Sequence, residues 1–226
     1  MKPLYLTLAA IAAAAVTAHA QADVQITEIM YTGLFGEFVE ITNGGNASQN
    51  MTGWKFSDNA RGLSLASVAT ATDISGIGGG TLAAGDSAII TEVSSTIFIQ
   101  AWYTEASTAL PSGFTGIPAN RIVQNNAVNL GRTDEVNIYA NGAIDGVNDF
   151  VDRVTYTDQG GASADKGPRS EDVSAVPSSN NTAATFSGWQ LSSVGTGAAW
   201  KAGVQGSING RPIPGPVGSP GVWPNL

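Results

Sequence analysis

Alternation of apolar and polar residues at period two defines the first predicted elements of the chain. Residues 24–31 read Val-Gln-Ile-Thr-Glu-Ile-Met-Tyr, and residues 37–42 read Glu-Phe-Val-Glu-Ile-Thr. Each run predicts a β-strand. The run Asn43-Gly44-Gly45-Asn46 follows the second strand, and its residues tolerate positive backbone angles, so it predicts a turn. The two strands are expected to form a hairpin.

Further strands follow from the same pattern. In residues 51–58, Trp54 and Phe56 share one face and Lys55 and Ser57 the other, as a half-buried strand requires. Trp54 is the first predicted core anchor. The remaining predicted strands are residues 87–91, 128–130, 135–139, 150–156 and 186–191, with Asn141-Gly142 as a turn.

One segment changes to helical spacing. Ile97, Phe98, Ala101 and Trp102 lie at intervals that predict a short amphipathic helix over residues 94–103, which would cap one end of a β-sandwich with Trp102 in the core. From residue 160 onward the chain is rich in Gly, Ser, Asn and Pro. This region is expected to be loop-rich, packing as coil or staying loose.

The first twenty residues have the pattern of a secretory signal peptide. Lys2 supplies the positive start, residues 4–16 the apolar run, and Ala18-His19-Ala20 a small-residue cleavage site. The alternative is a membrane anchor, but the run is short for a bilayer and rich in alanine. We therefore expect a signal peptide at 1–20, cleavage after Ala20, one domain over 21–226, and a secreted or periplasmic location, plausibly bacterial.

Composition then narrows the fold and the chemistry. The 226 residues include 28 Gly and 10 Pro with 12% charged residues, which favours an all-β fold with many turns. The chain has no cysteine, and its one histidine, His19, lies in the predicted signal peptide. Histidine- or cysteine-based catalysis and zinc sites are therefore excluded from the predicted mature chain. The net charge of the full chain is −8, which disfavours binding to nucleic acid or anionic lipid.

The ordered pieces resemble the lamin tail domain family, including its exported bacterial members. The resemblance rests on residues 24–29, 37–43, 51–58, 82–86, 98–102, 129–139 and 151–156, and on Gly218-Ser219-Pro220-Gly221, which is similar to the family's closing turn. It implies an immunoglobulin-like β-sandwich that acts as a non-catalytic binding or structural module. Its partner would be an unidentified protein or cell-surface component.

Glu28 and Glu40 occupy matching places in the two strands of the predicted hairpin. Their carboxylates could approach each other and form an acid pair or a site for a hard cation. The alternative is that each carboxylate orders the sheet edge by pairing with Lys55 or with a backbone amide. We favour that structural interpretation because carboxylates in strands are usually solvated or paired.

Two other groups of residues are candidate binding sites. Asp145, Asn148, Asp149 and Asp152 gather oxygen ligands that could hold calcium, although turn formation explains the same residues. Trp200 and Trp223 stand in Gly- and Pro-rich surroundings and could present exposed ring faces to a sugar.

These candidates define the alternative functions. One is a polysaccharide-binding or calcium-dependent adhesion module. A more remote one is a carboxylate-based hydrolase, which would need two carboxylates converging in a pocket. No catalytic residue and no cofactor other than a possible calcium ion is predicted.

Overall fold

The fold is taken from a computed structural model that describes residues 21–58, 71–125, 129–140, 150–159, 166–178, 188–194, 199–203, 207–208, 211–212 and 215–222. The predicted signal peptide lies outside the described residues. The strands are β1 (Val24–Met30), β2 (Phe38–Asn43), β3 (Gln49–Asn50), β4 (Lys55–Ser57), β5 (Thr72–Asp73), β6 (Thr81–Leu82), β7 (Ser87–Thr91), β8 (Ile122–Gln124), β9 (Thr133–Tyr139), β10 (Phe150–Thr157), β11 (Ala175–Pro177), β12 (Trp189–Leu191), β13 (Trp200–Lys201), β14 (Ser207–Ile208), β15 (Arg211–Pro212) and β16 (Val217–Gly218).

In the described part of the chain, helical turns occupy four short segments between these strands. They are the α-helix α1 (Ser95–Ile99), its continuation as a wider π-type turn (Gln100–Thr104), and two 3₁₀ turns, Ile77–Gly79 and Ala119–Arg121. Ser94 caps the start of α1, because its side chain accepts a hydrogen bond from the Ile97 amide at 3.3 Å.

Two sheets form the sandwich, so the predicted all-β, immunoglobulin-like fold is confirmed. The larger sheet has the strand order β12-β11-β1-β2-β7-β8, antiparallel except for the parallel pair β7 and β8. The smaller has the order β10-β9-β4-β5. The predicted hairpin of β1 and β2 lies at the centre of the larger sheet.

The space between the two sheets is filled by one apolar core, which we call the inner core. It includes Trp54 and Phe56 from the smaller sheet's side, together with Val39, Ile41 and Ile90 from the larger sheet. Trp54 is therefore a core residue, as predicted. Residues 51–54, expected to be part of a strand, instead form a turn that leads into the shorter β4.

The opposite face of the larger sheet is also covered, by a second apolar cluster that we call the outer cluster. Its residues include Phe38, Ile89, Phe98 and Trp102. The predicted helix thus packs on a sheet face rather than at an end of the sandwich. Ile97 was predicted to lie on the apolar face of this helix, and that prediction was wrong. Its side chain is 46% exposed, while Phe98, Ala101 and Trp102 are buried.

A bulge in β1 decides which side chains face the outer cluster. Ile26 pairs with Ile41, but the register shifts at Thr27, so that Glu28 pairs with Glu40 and Met30 with Phe38. Without the extra residue, Glu28 would share a face with Ile26, since side chains alternate strictly along a strand. The bulge therefore turns Glu28 away from the inner core.

The region after residue 160 is more ordered in its described parts than the composition suggested. Strands β11 and β12 extend the larger sheet next to β1, and β16 pairs with β13. Strand β12 falls within the strand predicted over residues 186–191, whereas β11 was not predicted. Residues 129–130, predicted as part of a strand, are loop, while β8 was not predicted.

Candidate functional site

The candidate site is the pair of glutamates at the centre of the larger sheet. Glu28 and Glu40 are directly opposite each other on β1 and β2, and each is only 1% exposed. The predicted approach of the two residues is confirmed by this register. The pair does not lie at a sheet edge, contrary to the structural alternative, because β11 and β7 flank the two strands.

Both oxygens of Glu28 accept hydrogen bonds from the C-terminal part of the chain. The Ser219 amide donates to Oε1 at 2.7 Å, and the Ser219 hydroxyl donates to Oε2 at 3.1 Å. The Ser174 hydroxyl also donates to Oε1. Glu28 therefore ties the end of the described chain to the first strand.

Glu40 is held by three hydroxyls and one amide. Thr27 donates to Oε1 at 2.9 Å, and Thr42 and Ser87 donate to the same oxygen at 3.1 Å each. The Gly221 amide donates to Oε2 at 2.5 Å. The backbone-amide partners expected for these glutamates are thus present, but Lys55 is not among them, since its ammonium pairs with Asp73 at 3.5 Å.

The segment that carries these two amides is a tight turn, Ser219–Val222, which we call the closing turn. The Val222 amide donates to the Ser219 carbonyl at 2.8 Å, and Gly221 has a φ of +91°. Proline at the second position and a positive φ at the third are typical of a type II turn. In such a turn the amides of the first and third residues stay free, and here they point at the two carboxylates.

Burial sets the protonation of the pair. Loss of water around the carboxyl, together with the neighbouring charge of Glu40, raises the pKa of Glu28 from 4.5 to about 8, even though its hydrogen bonds from Ser174 and Ser219 act in the opposite direction. Burial likewise raises the pKa of Glu40, although its hydrogen bonds work in the opposite direction. At neutral pH the pair therefore keeps at least one proton.

The arrangement is closed to a substrate or a metal ion. All four carboxyl oxygens already accept hydrogen bonds from side chains or amides of the chain itself, and both residues are almost completely buried. Within the described residues, no group of three or more His, Cys, Asp or Glu side chains could hold a metal ion. A raised pKa here reflects burial in the fold rather than an open catalytic cleft.

Glu37 is a second buried carboxyl, which the sequence pattern did not single out. Its Oε2 accepts a hydrogen bond from the Leu130 amide at 2.6 Å, while Oε1 has no hydrogen-bond partner among the described residues. Burial raises the pKa of Glu37 to about 8, and the charges of Glu92, Asp58 and Asp134 add to the effect. No local signal distinguishes it from a solvated glutamate at a strand start.

Of the four predicted calcium ligands, only Asp152 is described; Asp145, Asn148 and Asp149 lie outside the described residues. The Asp152 carboxylate accepts hydrogen bonds from the amides of Ile26 at 2.7 Å and Arg153 at 2.8 Å. It thereby joins β1 to β10 across the two sheets. This contact gives Asp152 a structural role.

The predicted exposure of Trp200 was wrong. Its ring is fully buried in the outer cluster at 6.4 Å from the ring of Trp102, and its Nε1 donates to the Trp102 carbonyl at 2.8 Å. A buried ring cannot present a face to a sugar. Trp223 lies outside the described residues. Trp102 is a core residue, as predicted.

An open polar depression lies on the described surface at the start of β1. Its volume is about 510 Å³, and it is lined by Gln21, Asp23, Gly44, Gly45 and Asn46. It contains neither member of the glutamate pair. In the described part of the chain, no helix has the length and apolar character needed to cross a membrane.

Comparison with known protein families gave a match over the first part of the chain. The model of the family described as Lamin Tail Domain matches residues 17–158, which is more than half of the chain. Searches of curated proteins and of solved structures found no match. The matched region ends directly after β10, so the closing turn lies outside it.

Proposed function

Since this chain belongs to the lamin tail domain family, we propose that it is an exported, non-catalytic module that binds a protein or a cell-surface component. Members of this family are structural, immunoglobulin-like domains, and a contact function is consistent with that character.

The burial of Glu28 and Glu40 is the observation that carries the proposal. The remaining enzyme alternative needs two carboxylates that converge where a substrate can reach them. Glu28 and Glu40 lie opposite each other, but each is only 1% exposed and both are bonded through every carboxyl oxygen to the chain itself. Contact with a partner therefore explains the protein better than turnover of a substrate.

The start of β10 is the surface that we assign to this contact. Phe150 and Val151 are 37% and 40% exposed on a strand at the edge of the smaller sheet, and the Arg153 guanidinium lies 4.2 Å from the centre of the Phe150 ring. An exposed aromatic beside an arginine is typical of the centre of a protein interface. The net charge of −8 favours a partner surface with positive charge.

Site-directed photo-crosslinking in the native cell envelope and culture medium tests this surface. A crosslinker at Val151 should capture a discrete partner. The matched control position is Leu191, which is 43% exposed on β12 at the edge of the other sheet and should capture none. Equal capture from both positions, or from neither, would contradict the assignment of the surface.

Export is tested separately by N-terminal sequencing of the protein made in its native host. Material outside the cytoplasm that begins at Gln21 supports the proposal. A protein that keeps residues 1–20 in the cytoplasm contradicts it.

A further inference from the structure

The closing turn is attached to the larger sheet mainly by hydrogen bonds that it donates to two buried glutamates. Its two free amides and the Ser219 hydroxyl all end on Glu28 or Glu40. One additional bond joins the Tyr103 hydroxyl to the Pro220 carbonyl at 3.1 Å. Among the described residues neither glutamate makes an ion pair, so no cation balances the charge that these carboxylates would carry together.

Within the described part of the chain, no cationic side chain near Glu28 and Glu40 is placed to balance their negative charge, so a proton on the pair must do so. Tyr103 faces the pair from the π-type turn after α1, and burial keeps its hydroxyl neutral by raising its pKa. Arg121 donates to the Ser87 carbonyl at 3.4 Å but pairs with Asp86 at 2.7 Å. Lys201 lies on β13, the strand that pairs with β16 just before the turn. Two carboxylates directly opposite each other repel strongly when both are ionised in a buried site.

We propose that the Glu28–Glu40 pair is a proton-operated latch, which holds the closing turn against the sheet while it carries a proton and releases the turn when both carboxyls are ionised. Ionisation requires water around the two charges, and the closing turn is the element that excludes it. Release of the turn lets water reach the carboxylates without opening the inner core.

Close packing makes the latched position specific. A Cβ atom at Gly218 would lie 2.8 Å from Glu28 Oε1 and 3.0 Å from Trp102 Cη2, and one at Gly221 would lie 2.6 Å from Ile117 Cγ1. The chain can therefore approach the carboxylates and the outer cluster only because these positions are glycine. Release of the turn uncovers the part of the outer cluster around Ile117 and Phe114, on which Gly221 packs.

The test is hydrogen exchange of the Ser219 and Gly221 amides from pH 5 to 9, expressed as protection factors, which remove the intrinsic effect of pH on exchange. A carboxyl whose pKa is higher in the closed state than in the open state stabilises the closed state at low pH. That stabilisation is lost as the pH rises towards the pKa of the closed state. Protection should thus fall at least about tenfold per pH unit between about pH 5 and 8 and then level off. The Val136 amide in β9 should stay more protected throughout, because it reports on opening of the inner core.

Three variants make the experiment decisive. Combining Glu28→Gln with Glu40→Gln should remove the pH trend at the turn, because the side-chain amides cannot ionise; each amide keeps one acceptor oxygen and replaces the other with an NH₂ donor. Glu28→Gln alone should reduce the trend. Glu37→Gln is the matched control: it removes another buried carboxyl with a pKa of about 8 that does not bond to the turn, so it should leave the trend at Ser219 and Gly221 unchanged.

Two outcomes would overturn the latch: wild-type protection at the turn that stays constant over this pH range, or a pH trend that survives in the double variant. If the double variant does not fold, ¹³C NMR of the wild-type carboxyl groups decides the question. The latch requires at least one carboxyl of the pair to titrate above pH 7, together with the loss of protection. Titration of both below pH 5 rejects it.

Discussion

The two faces of the larger sheet are both buried, yet they are built from different chemistry. The inner face carries aliphatic residues such as Val39, Ile41 and Ile90 against the smaller sheet. The outer face combines an aromatic group around Phe38, Phe98 and Trp102 with two carboxyls and a row of hydroxyls. An apolar face accepts any partner of suitable shape, whereas buried carboxyls require donors at defined positions. The outer face therefore selects one specific covering segment.

The largest effect is expected from truncating core side chains, and it tests whether both faces are true cores. Ile89 and Ile90 are neighbours on β7, both buried, with Ile89 in the outer cluster and Ile90 in the inner core. Each substitution by alanine should cost about 2–5 kcal/mol of unfolding free energy in urea titrations. A cost below about 1 kcal/mol for Ile89→Ala would show that the outer layer adds little to stability.

The next effect concerns the fit of the closing turn. Gly221→Ala should cost about 2–4 kcal/mol, since the added Cβ strains the positive φ and meets Ile117 and Phe114. Gly85→Ala is the control, because Gly85 also has a positive φ but has open space around it. It should cost about 1 kcal/mol in the same thermal unfolding measurements. Equal costs at both positions would contradict close packing of the turn.

The third prediction concerns how the free energy of unfolding depends on pH through the buried carboxyl of Glu37. The pKa of Glu37 rises from 4.5 to about 8 on folding, so its contribution to stability is complete below about pH 4.5 and is lost as pH increases to about 8. Glu37→Gln should therefore match the wild type near pH 4.5 and be about 1–3 kcal/mol more stable at pH 9. Denaturant titrations at both pH values measure this difference, and a variant equally destabilised at both would contradict it.

The smallest effect concerns the contact between the sheets at Asp152. Asp152→Ala removes the acceptor for the Ile26 and Arg153 amides and should cost about 1–2 kcal/mol. If this role is structural, adding calcium should leave the melting temperatures of the wild type and the variant unchanged. A rise in the wild-type melting temperature that is absent from the variant would instead support the predicted calcium site.

The local pattern of apolar and polar residues was sufficient to predict the central hairpin and two of the core residues. The alternation in residues 24–31 and 37–42 predicted the central hairpin and the matching positions of Glu28 and Glu40, because antiparallel pairing follows from the turn and the strand lengths. Trp54 and Trp102 were predicted as core residues from their apolar neighbours at strand or helical spacing. Family membership followed from the order of these pieces.

Only the tertiary structure decided what covers each strand face. The bulge at Thr27 and the burial of Trp200 and Glu37 depend on segments far away along the chain, such as Ser219 and Leu130, whose approach no local pattern encodes. A glutamate in a strand looks the same in sequence whether it meets water or the amides of a distant turn. The protonation and the role of such a glutamate are set by its tertiary contacts, because burial and hydrogen bonding act through space rather than along the chain.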